Sequence, residues 1–397
     1  MMKMRRFLKA FITLCSLVAV NFAMSASEPE FPISLSPDTC TIDSDNIELP
    51  AETSDTVPLP GKNWMARLIN SGFHINDPRI RYPKFAQFCV NVYNWGDRTF
   101  NSYDPDYVVG TGKNWKIIGK TYNWAQSYML TFTKNTSIRM ISDVYSDIGA
   151  HLCFMAVSVG YDFNANELIG NPASNRTNFE FNFTCALFAA NFQNSSTKGG
   201  THVTKFGNFK PSSGKKLDFR YDGVYQESTI LDLYYFFNHR KYSQAAAYCY
   251  SKYQLKSAGS VIAGFNYTHQ QIGLDFSPLP DDMLAYLPGD TDHYNFRYTD
   301  YDIMVGYAYN CVMKPRKWLL NVTILPSIGY KHSYEDSTEG RKDMFSTNIK
   351  AMSSLVFNHR SLFASMSLRF DGRAYYGKGY NFFNSNESVT FNIGARF

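Results

Sequence analysis

Near the C-terminus, charged side chains recur at every second position. Arg369, Asp371 and Arg373 stand in SLFASMSLRFDGR, with Lys350 upstream and Arg396 next to last. Residues two apart share one face of a strand. Opposite charges on such a face can line a constriction that selects solutes, or pair with one another and fill a narrow interior. Pairing is the favoured reading here, because charges find partners readily when space is small.

The stretch GTGKNWK offers a second chemistry, a phosphate cradle. A nucleotide loop of the form G-x-x-x-x-G-K-[ST] rings phosphates with backbone N–H groups and reaches the metal with a hydroxyl. With Gly112 and Lys113 as the GK pair, the first glycine position is Tyr107 and the hydroxyl position is Asn114. Two of the four fixed positions fail, so no nucleotide is expected. Gly110 and Gly112 instead let the chain turn where an extended segment begins.

Eight histidines are scattered without H-x-x-x-H or HExxH spacing, which argues against a metalloprotease. No G-x-S-x-G supplies a hydrolase elbow. A Ser/His/acid site assembled from separate strands stays open, since it needs no local spacing. Asp281, Asp282, Asp290, Asp292 and Asp300 crowd PLPDDMLAYLPGDTDHYNFRYTD. Such carboxylates could hold Ca²⁺ or share divalent ions with lipopolysaccharide phosphates, but a solvated acidic loop is the simpler reading. No cofactor is expected.

The elements that position these residues follow from the patterning. MMKMRRFLKAFITLCSLVAVNFAMSA has four basic residues, an apolar run and small residues, which predicts a signal peptide over 1–26. Removing its four charges takes the formal +5 to +1, which gives no support to nucleic-acid binding. Residues 27–61 hold eight acids and no Lys or Arg, an exported flexible acidic tail. Residues 62–112 read as a periplasmic N-terminal extension with a short helix at NWMARLIN; Pro78 and Pro83 argue against a longer one in HINDPRIRYPKFAQF. After the leader, Cys40, Cys89, Cys153, Cys185, Cys249 and Cys311 form no C-x-x-C pair. A Cys40–Cys89 disulfide stays open, and the others read as small apolar side chains.

Aromatics make up 16% of the chain and charged residues 18%, against roughly a quarter charged in typical soluble domains. No apolar run beyond the leader spans a membrane as a helix. From residue 113 onward, period-two alternation takes over. In RKWLLNVTILPSIGYKH, Trp318, Leu320, Val322, Ile324, Ile328 and Tyr330 oppose Leu319, Asn321, Thr323, Leu325, Ser327 and Lys331. Long alternating runs, aromatic ends and a final strand closing on Phe397 predict an all-β fold: a transmembrane antiparallel β-barrel over 113–397 with a short mixed N-terminal extension. Candidate strands lie near 113–133, 136–145, 150–163, 176–192, 228–238, 241–255, 258–274, 299–312, 316–331, 342–357, 360–375 and 386–397. That is twelve, or fourteen if 193–227 hides a hairpin. Both termini and the short turns at 256–259, 313–316 and 358–361 are expected on the periplasmic side. The copies of FNHR at 237–240 and 357–360 fall on opposite sides in this count.

YPKFAQF, YNWGDRTFNSYDPDYVVGTGKNWK, FNHRKYS and KSAGS together resemble an uncharacterised domain-of-unknown-function family of exported, outer-membrane barrel-like proteins from Bacteroidales-type bacteria. The resemblance covers about residues 80–397. It implies a barrel in the cell outer membrane and brings no catalytic or binding residues. GTGKNWK then leads into the first strand, with Trp115 and Trp124 near a membrane interface, Lys113 and Lys116 beside lipid head groups, and Phe397 as the terminal signal. The expected partners are outer-membrane lipids, lipopolysaccharide and the barrel-insertion machinery. The expected activity is a non-enzymatic narrow channel or envelope scaffold; the alternative is an enzyme acting on lipid or glycan at the outer rim.

Overall fold

The computed structural model describes residues 58–397, apart from 73, 101, 114, 133–135, 155–156, 169–174, 213, 288–290 and 335–340. The expected signal peptide over 1–26 and nearly all of the acidic stretch 27–61, Cys40 included, lie outside the described residues. From Leu59 onward the chain forms one compact unit.

Its strands are, in chain order, β1 (Val108–Gly110), β2 (Trp115–Phe132), β3 (Ser137–Ser142), β4 (Tyr145–Phe154), β5 (Val157–Asn164), β6 (Asn175–Thr184), β7 (Phe188–Lys198), β8 (Thr201–Phe206) and β9 (Phe219–Tyr221). There follow β10 (Val224–Phe236), β11 (Lys252–Gln254), β12 (Ala258–Asp275), β13 (His293–Lys314), β14 (Trp318–Ser333), β15 (Asp343–His359), β16 (Leu362–Tyr376) and β17 (Tyr380–Arg396). Fifteen of them form one curled antiparallel sheet. β6, β7, β10 and β12 to β17 lie side by side, and β17 then pairs with β2 along its whole length. β2 splits the sheet: its first half carries β4 and then β5, its second half carries β3, β8 and β9. Twelve strands thus make the wall, β2, β4 to β7, β10 and β12 to β17, while β3, β8 and β9 form a flap at one end. At the seam between β5 and β6, Arg176 of β6 reaches across to Asp147 of β4 and donates to Asn164 Oδ1 at 2.6 Å.

Alternation fixes the two faces. On β14, Ile324 and Ile328 point outward, 51% and 59% exposed, while Asn321, Thr323 and Lys331 are fully buried inside. β13, β16 and β17 behave alike, with Ile303, Leu362 and Ile393 outward. A soluble protein hides such a belt; hydrocarbon is the solvent that accepts it. Glu387 interrupts the belt at mid-height. Its carboxylate is held by Ser385 Oγ at 2.6 Å and Ser127 Oγ at 3.2 Å, so the charge is not left bare.

Both chain ends of the barrel lie together. Trp115 and Phe397 exchange two backbone hydrogen bonds, 3.1 and 3.0 Å, and the tight turns after β13 and β15 fall at the same end. We call this the terminal end. The far end carries the flap, a short helix at Asp281–Leu284 and the longer connections.

The N-terminal extension holds two helices. Trp64–Asn70 is capped by Asn63, whose side-chain oxygen accepts from Ala66 N at 2.8 Å. The second, Lys84–Phe100, was not foreseen beyond Pro83, yet Pro83 is the reason it starts there: Gln87 N donates to Pro83 O at 2.9 Å, opening the helix where a proline fits. Between them, Arg79 clamps Asp77 through its side chain and backbone and holds that carboxyl at about 2.

Six sequence expectations change, four of them strand assignments. Residues 176–192 are not one strand but parts of the β6/β7 hairpin, and 150–163 fall in the β4/β5 hairpin. Each hairpin inverts the parity of the outward face, from odd Phe181 on β6 to even Phe192 on β7 and from even Ile148 on β4 to odd Phe163 on β5, so a single alternating run read through the turn misses it. Residues 136–145 belong mostly to the flap strand β3. The run 241–255 is no wall strand at all, as described below. These differences cancel in the count of twelve. The connection 193–227 belongs to β7 and the far-end flap rather than to the terminal side. Both FNHR copies lie at the terminal end, because β10 and β15, which end at Phe236 and His359, run the same way.

Candidate functional site

The lumen is filled from three directions. From the terminal end, residues 238–257 leave β10, turn inward and return to β12. Ser243 caps a single helical turn, Gln244–Tyr248, by accepting from Ala246 N at 3.2 Å, and Ala245, Ala246 and Ala247 are buried. Small side chains let this turn approach β14 and β15 closely. Inward-facing wall residues then satisfy its backbone, which no water could reach. Asn310 Nδ2 donates to Ser243 O at 2.9 Å, Ser354 Oγ to Ala247 O at 2.8 Å, Lys116 Nζ to Cys249 O at 2.7 Å and Arg396 Nε to Tyr250 O at 2.8 Å. Asn321 donates to Tyr242 OH at 3.1 Å and accepts from Tyr248 OH at 2.9 Å. The polar inner faces of β2, β13, β14, β15 and β17 are here the sockets of a plug.

The N-terminal extension clasps this plug from outside. β1 pairs antiparallel with β11, Val109 opposite Tyr253. Leu255 N donates to Tyr107 O at 2.7 Å, and Lys241 and Lys256 sit over the Tyr107 ring at 5.0 and 5.3 Å. Burial between these layers pushes the Tyr103 phenol above its ordinary range. Gly110 closes β1, and Gly112, at φ +70°, turns the chain toward β2. GTGKNWK is therefore a joint between clasp and wall.

The middle of the lumen is a charge network. Lys350 Nζ lies 3.0 Å from Asp232 and 2.6 Å from Asp371; Arg373 lies 3.0 Å from Asp371 and 3.9 Å from Asp300. Lys331 pairs with Asp300 at 3.1 Å and sits 3.9 Å from the centre of the Tyr298 ring. Asn348 donates to Asp302 at 2.6 Å, and Arg369 meets Glu180 at 3.3 Å. Lys350, Asp371 and Arg373 thus share one network, and Arg369 pairs beside it with Glu180. Arg396 does not join them; it holds the plug, also donating to Asn358 at 2.7 Å. Asp232, Asp300, Asp302, Lys331 and Glu180 were missed as members. The signal was present: Asp302 and Lys331 stand on the polar faces of their alternating runs. Asp300 had been assigned to an outer acidic loop, but it is fully buried on β13.

Gly329 makes this network possible. A methyl there would stand 2.0 Å from Tyr301 O and 2.6 Å from Asp302 Oδ1. Gly329→Ala is expected to destabilise the barrel by about 1–3 kcal/mol through overpacking. A lowered urea midpoint for the loss of folded gel mobility checks this; an unchanged midpoint rules it out.

Beside the network, Tyr122, Asn191, Gln226, Asn384 and Ser388 line a cavity of about 40 Å³, room for a few waters and no more. Toward the far end, an aromatic layer seals the lumen. Phe296 stacks on Phe382 at 4.0 Å, Tyr380 and Tyr294 meet edge to face at 5.6 Å, and Phe276, Leu279 and Met283 of the 276–284 segment lie buried with them.

The interface candidates divide. Lys113 is exposed, Trp115 is half-buried at the rim and Phe397 is 54% exposed beside it. Lys116 and Trp124 point inward: Lys116 binds the plug, and Trp124 packs on Tyr145 with ring centres 4.5 Å apart. Even-numbered residues of β2 face the lumen, so residues nine apart cannot both meet lipid with Trp115.

Four histidines, His151, His202, His293 and His332, pair with carboxylates. His332 meets Asp343 at 2.9 Å, and His202 lies between Asp143 and Asp218 at 2.9 and 2.7 Å. His269 meets the buried hydroxyl of Thr299 at 2.9 Å, but among the described residues no carboxylate is bonded to its other nitrogen. No group that could hold a metal is present among the described residues. The aspartate cluster disperses: Asp281 and Asp282 open a helix, Asp292 pairs with His293, and Asp290 lies outside the described residues.

A family model described as a domain of unknown function, DUF4421, matches residues 102–397. No curated protein matches the chain. Among solved structures, the outer membrane protease OmpT from Escherichia coli aligns at 10% identity, covering 75% of this chain and 98% of its own, with a TM-score of 0.33. The translocator domain of autotransporter NalP from Neisseria meningitidis aligns at 9% identity, covering 79% and 96%, with a TM-score of 0.27. Neisserial surface protein A aligns at 8% identity, covering 70% and 97%, with a TM-score of 0.21.

Proposed function

The chain belongs to the DUF4421 family, and from that premise, which carries a shared domain but no activity, we propose that it is a closed barrel of the Gram-negative outer membrane. It serves as an envelope scaffold rather than as a standing channel or an enzyme. The observation that carries this reading is the filled lumen: the plug occupies the terminal end, the charge network the middle and the aromatic layer the far end. The signal-peptide pattern, the outward apolar belt and the terminal strand ending in Phe397 support export and insertion by the barrel-assembly machinery. The short turns and both chain ends support a periplasmic terminal end. Lipid and lipopolysaccharide are then the partners of the belt, and the family resemblance supports a Bacteroidales-type source.

Two measurements test this. Purified protein should migrate differently on gels before and after boiling, and in planar bilayers it should hold conductance at background. Discrete openings in well-folded wild-type protein would restore the channel reading, and lipid or glycan turnover abolished by one Ser or His replacement would restore the enzyme. The belt has its own test. Ile324→Arg places a charge near the middle of the outward face and is expected to cost about 2–4 kcal/mol in lipid. The same substitution should be nearly neutral if water covers that face.

A further inference from the structure

We propose that the seam between β5 and β6 is a side opening of the wall, through which the head group of a membrane phospholipid reaches the inner face, and that it closes by pairing in one register. The lumen is filled along its axis, but its wall is not joined all the way round. Among the described residues, β5 pairs only with β4 and β6 only with β7, whereas every other junction of the wall is a backbone ladder. Elsewhere a wall strand hides its inner face, as Asn321 and Thr323 do on β14. At the seam both faces are exposed. On β6, Phe179 and Phe181 are exposed outward, and Asn178 and Asn182 on the inner side. On β5, Tyr161 and Phe163 are exposed outward and Asp162 on the inner side. The lumen beside the seam is accessible as well. The Arg369 side chain is 36% exposed and that of Asp162 37%, against 0% for Lys331 and Asp300 on β14 and β13 across the barrel.

Location selects the occupant. The opening gives onto hydrocarbon, where no water satisfies an unpaired strand edge. What enters must come from the bilayer and carry hydrogen-bonding groups. The inner wall beside the seam offers both signs of charge: Lys120 lies 4.0 Å from Asp162, and Arg369 3.3 Å from Glu180. A phospholipid head, with its phosphate and ammonium, meets both pairs, while its chains stay against the outward rings of Tyr161, Phe163, Phe179 and Phe181. This inference rests on the reading of the belt as lipid-covered.

Parity and one contact fix the closed register. Odd-numbered residues face outward on both strands, so odd must pair with odd. Arg176 donates to Asn164 Oδ1 at 2.6 Å at the far end of the seam. Taken as cross-strand neighbours, these two place Tyr161 opposite Phe179 and Asp162 opposite Asn178. Sliding β6 by two residues would set Asp162 against Glu180, like charge against like.

The test uses the full mature chain, with its native cysteines replaced by Ala, in phosphatidylcholine vesicles and in samples that show folded gel mobility. A bimane fluorophore is placed at Asn182→Cys, which lies in line with Asp232 across β7, at the level of the charge network. A second sample carries it at Ile324→Cys on the outward belt. Quenching is read with a phospholipid bearing a nitroxide on its head group and with one bearing it on an acyl chain. The expected result is severalfold more head-group quenching at Asn182→Cys than at Ile324→Cys. Tyr161→Cys with Phe179→Cys should form a disulfide on mild oxidation. Closing it before the fluorophore is attached should lower the quenching at Asn182→Cys to the Ile324→Cys level, and reducing the same sample should restore it. Head-group quenching no greater at Asn182→Cys than at Ile324→Cys, with acyl-chain quenching present at Ile324→Cys, overturns the inference and leaves the barrel reading standing. Absence of acyl-chain quenching at Ile324→Cys overturns both. A disulfide that fails to form, or that forms equally well between Tyr161→Cys and Phe181→Cys, overturns the closed register and the inference with it.

Discussion

Lys350→Met is expected to destabilise the barrel by about 3–5 kcal/mol, because it leaves two buried carboxylates without their shared cation. Asp232 and Asp371 sit 3.0 and 2.6 Å from Lys350 Nζ, and all three are largely shielded from solvent. Asp371 keeps Arg373 at 3.0 Å and Asp232 keeps the Asn266 amide at 2.6 Å, so the greater loss falls on Asp232, which has no other ion pair within 4 Å among the described residues. Adding Asp232→Asn to Lys350→Met should therefore recover much of the loss. The measurement is the urea dependence of heat-modifiable mobility in lipid. A shift under about 1 kcal/mol for the single variant, the size of an exposed pair, would mean that water fills the lumen and screens these charges.

Removing the plug is expected to expose the terminal half of the lumen. Residues 239–257 can be excised and Asn238 joined to Ala258 through an Asn-Gly turn, because Asn238 already donates to Gly259 O at 2.7 Å across the gap. The readout is the rate at which a water-soluble maleimide labels Asn321→Cys in a background without other cysteines. In the intact chain the site is buried under the plug. If plug opening costs about 3 kcal/mol, labelling is slowed about a hundredfold, and excision should restore the unprotected rate. Equal rates with and without the plug, in barrels that both show folded mobility, would show that 238–257 does not occupy the lumen. Conductance is the weaker readout here, since the aromatic layer at Phe296 and Phe382 still closes the far end.

The two experiments probe different layers, and their effects should add. Lys350 contacts β10 and β16, whereas the plug is held by Asn310, Asn321, Ser354 and Arg396, nearer the terminal end. Excision that also removed the stability difference between Lys350 and Met would indicate that the two layers form one cooperative unit.

Alternation in the sequence determined the long strands and both of their faces. β14 to β16 were readable to within two residues at each end, because a strand between lipid and a packed interior must switch polarity at each position, whereas β13 and β17 begin six residues earlier than the alternation marked. It placed Lys350, Arg369, Asp371 and Arg373 on inward-facing positions, and it put GTGKNWK at the entrance to a strand. The tertiary structure alone decided what fills that inside. KYSQAAAYCYSKYQ alternates well enough to imitate a strand, yet its alanines and tyrosines serve a buried turn whose backbone is satisfied by asparagines and serines on strands far away in the chain. A polar inner face reads the same whether it meets water or another segment's carbonyl groups. Only the arrangement of the wall around residues 238–257 distinguishes them, because hydrogen-bond partners are set by position in space and not by spacing along the chain.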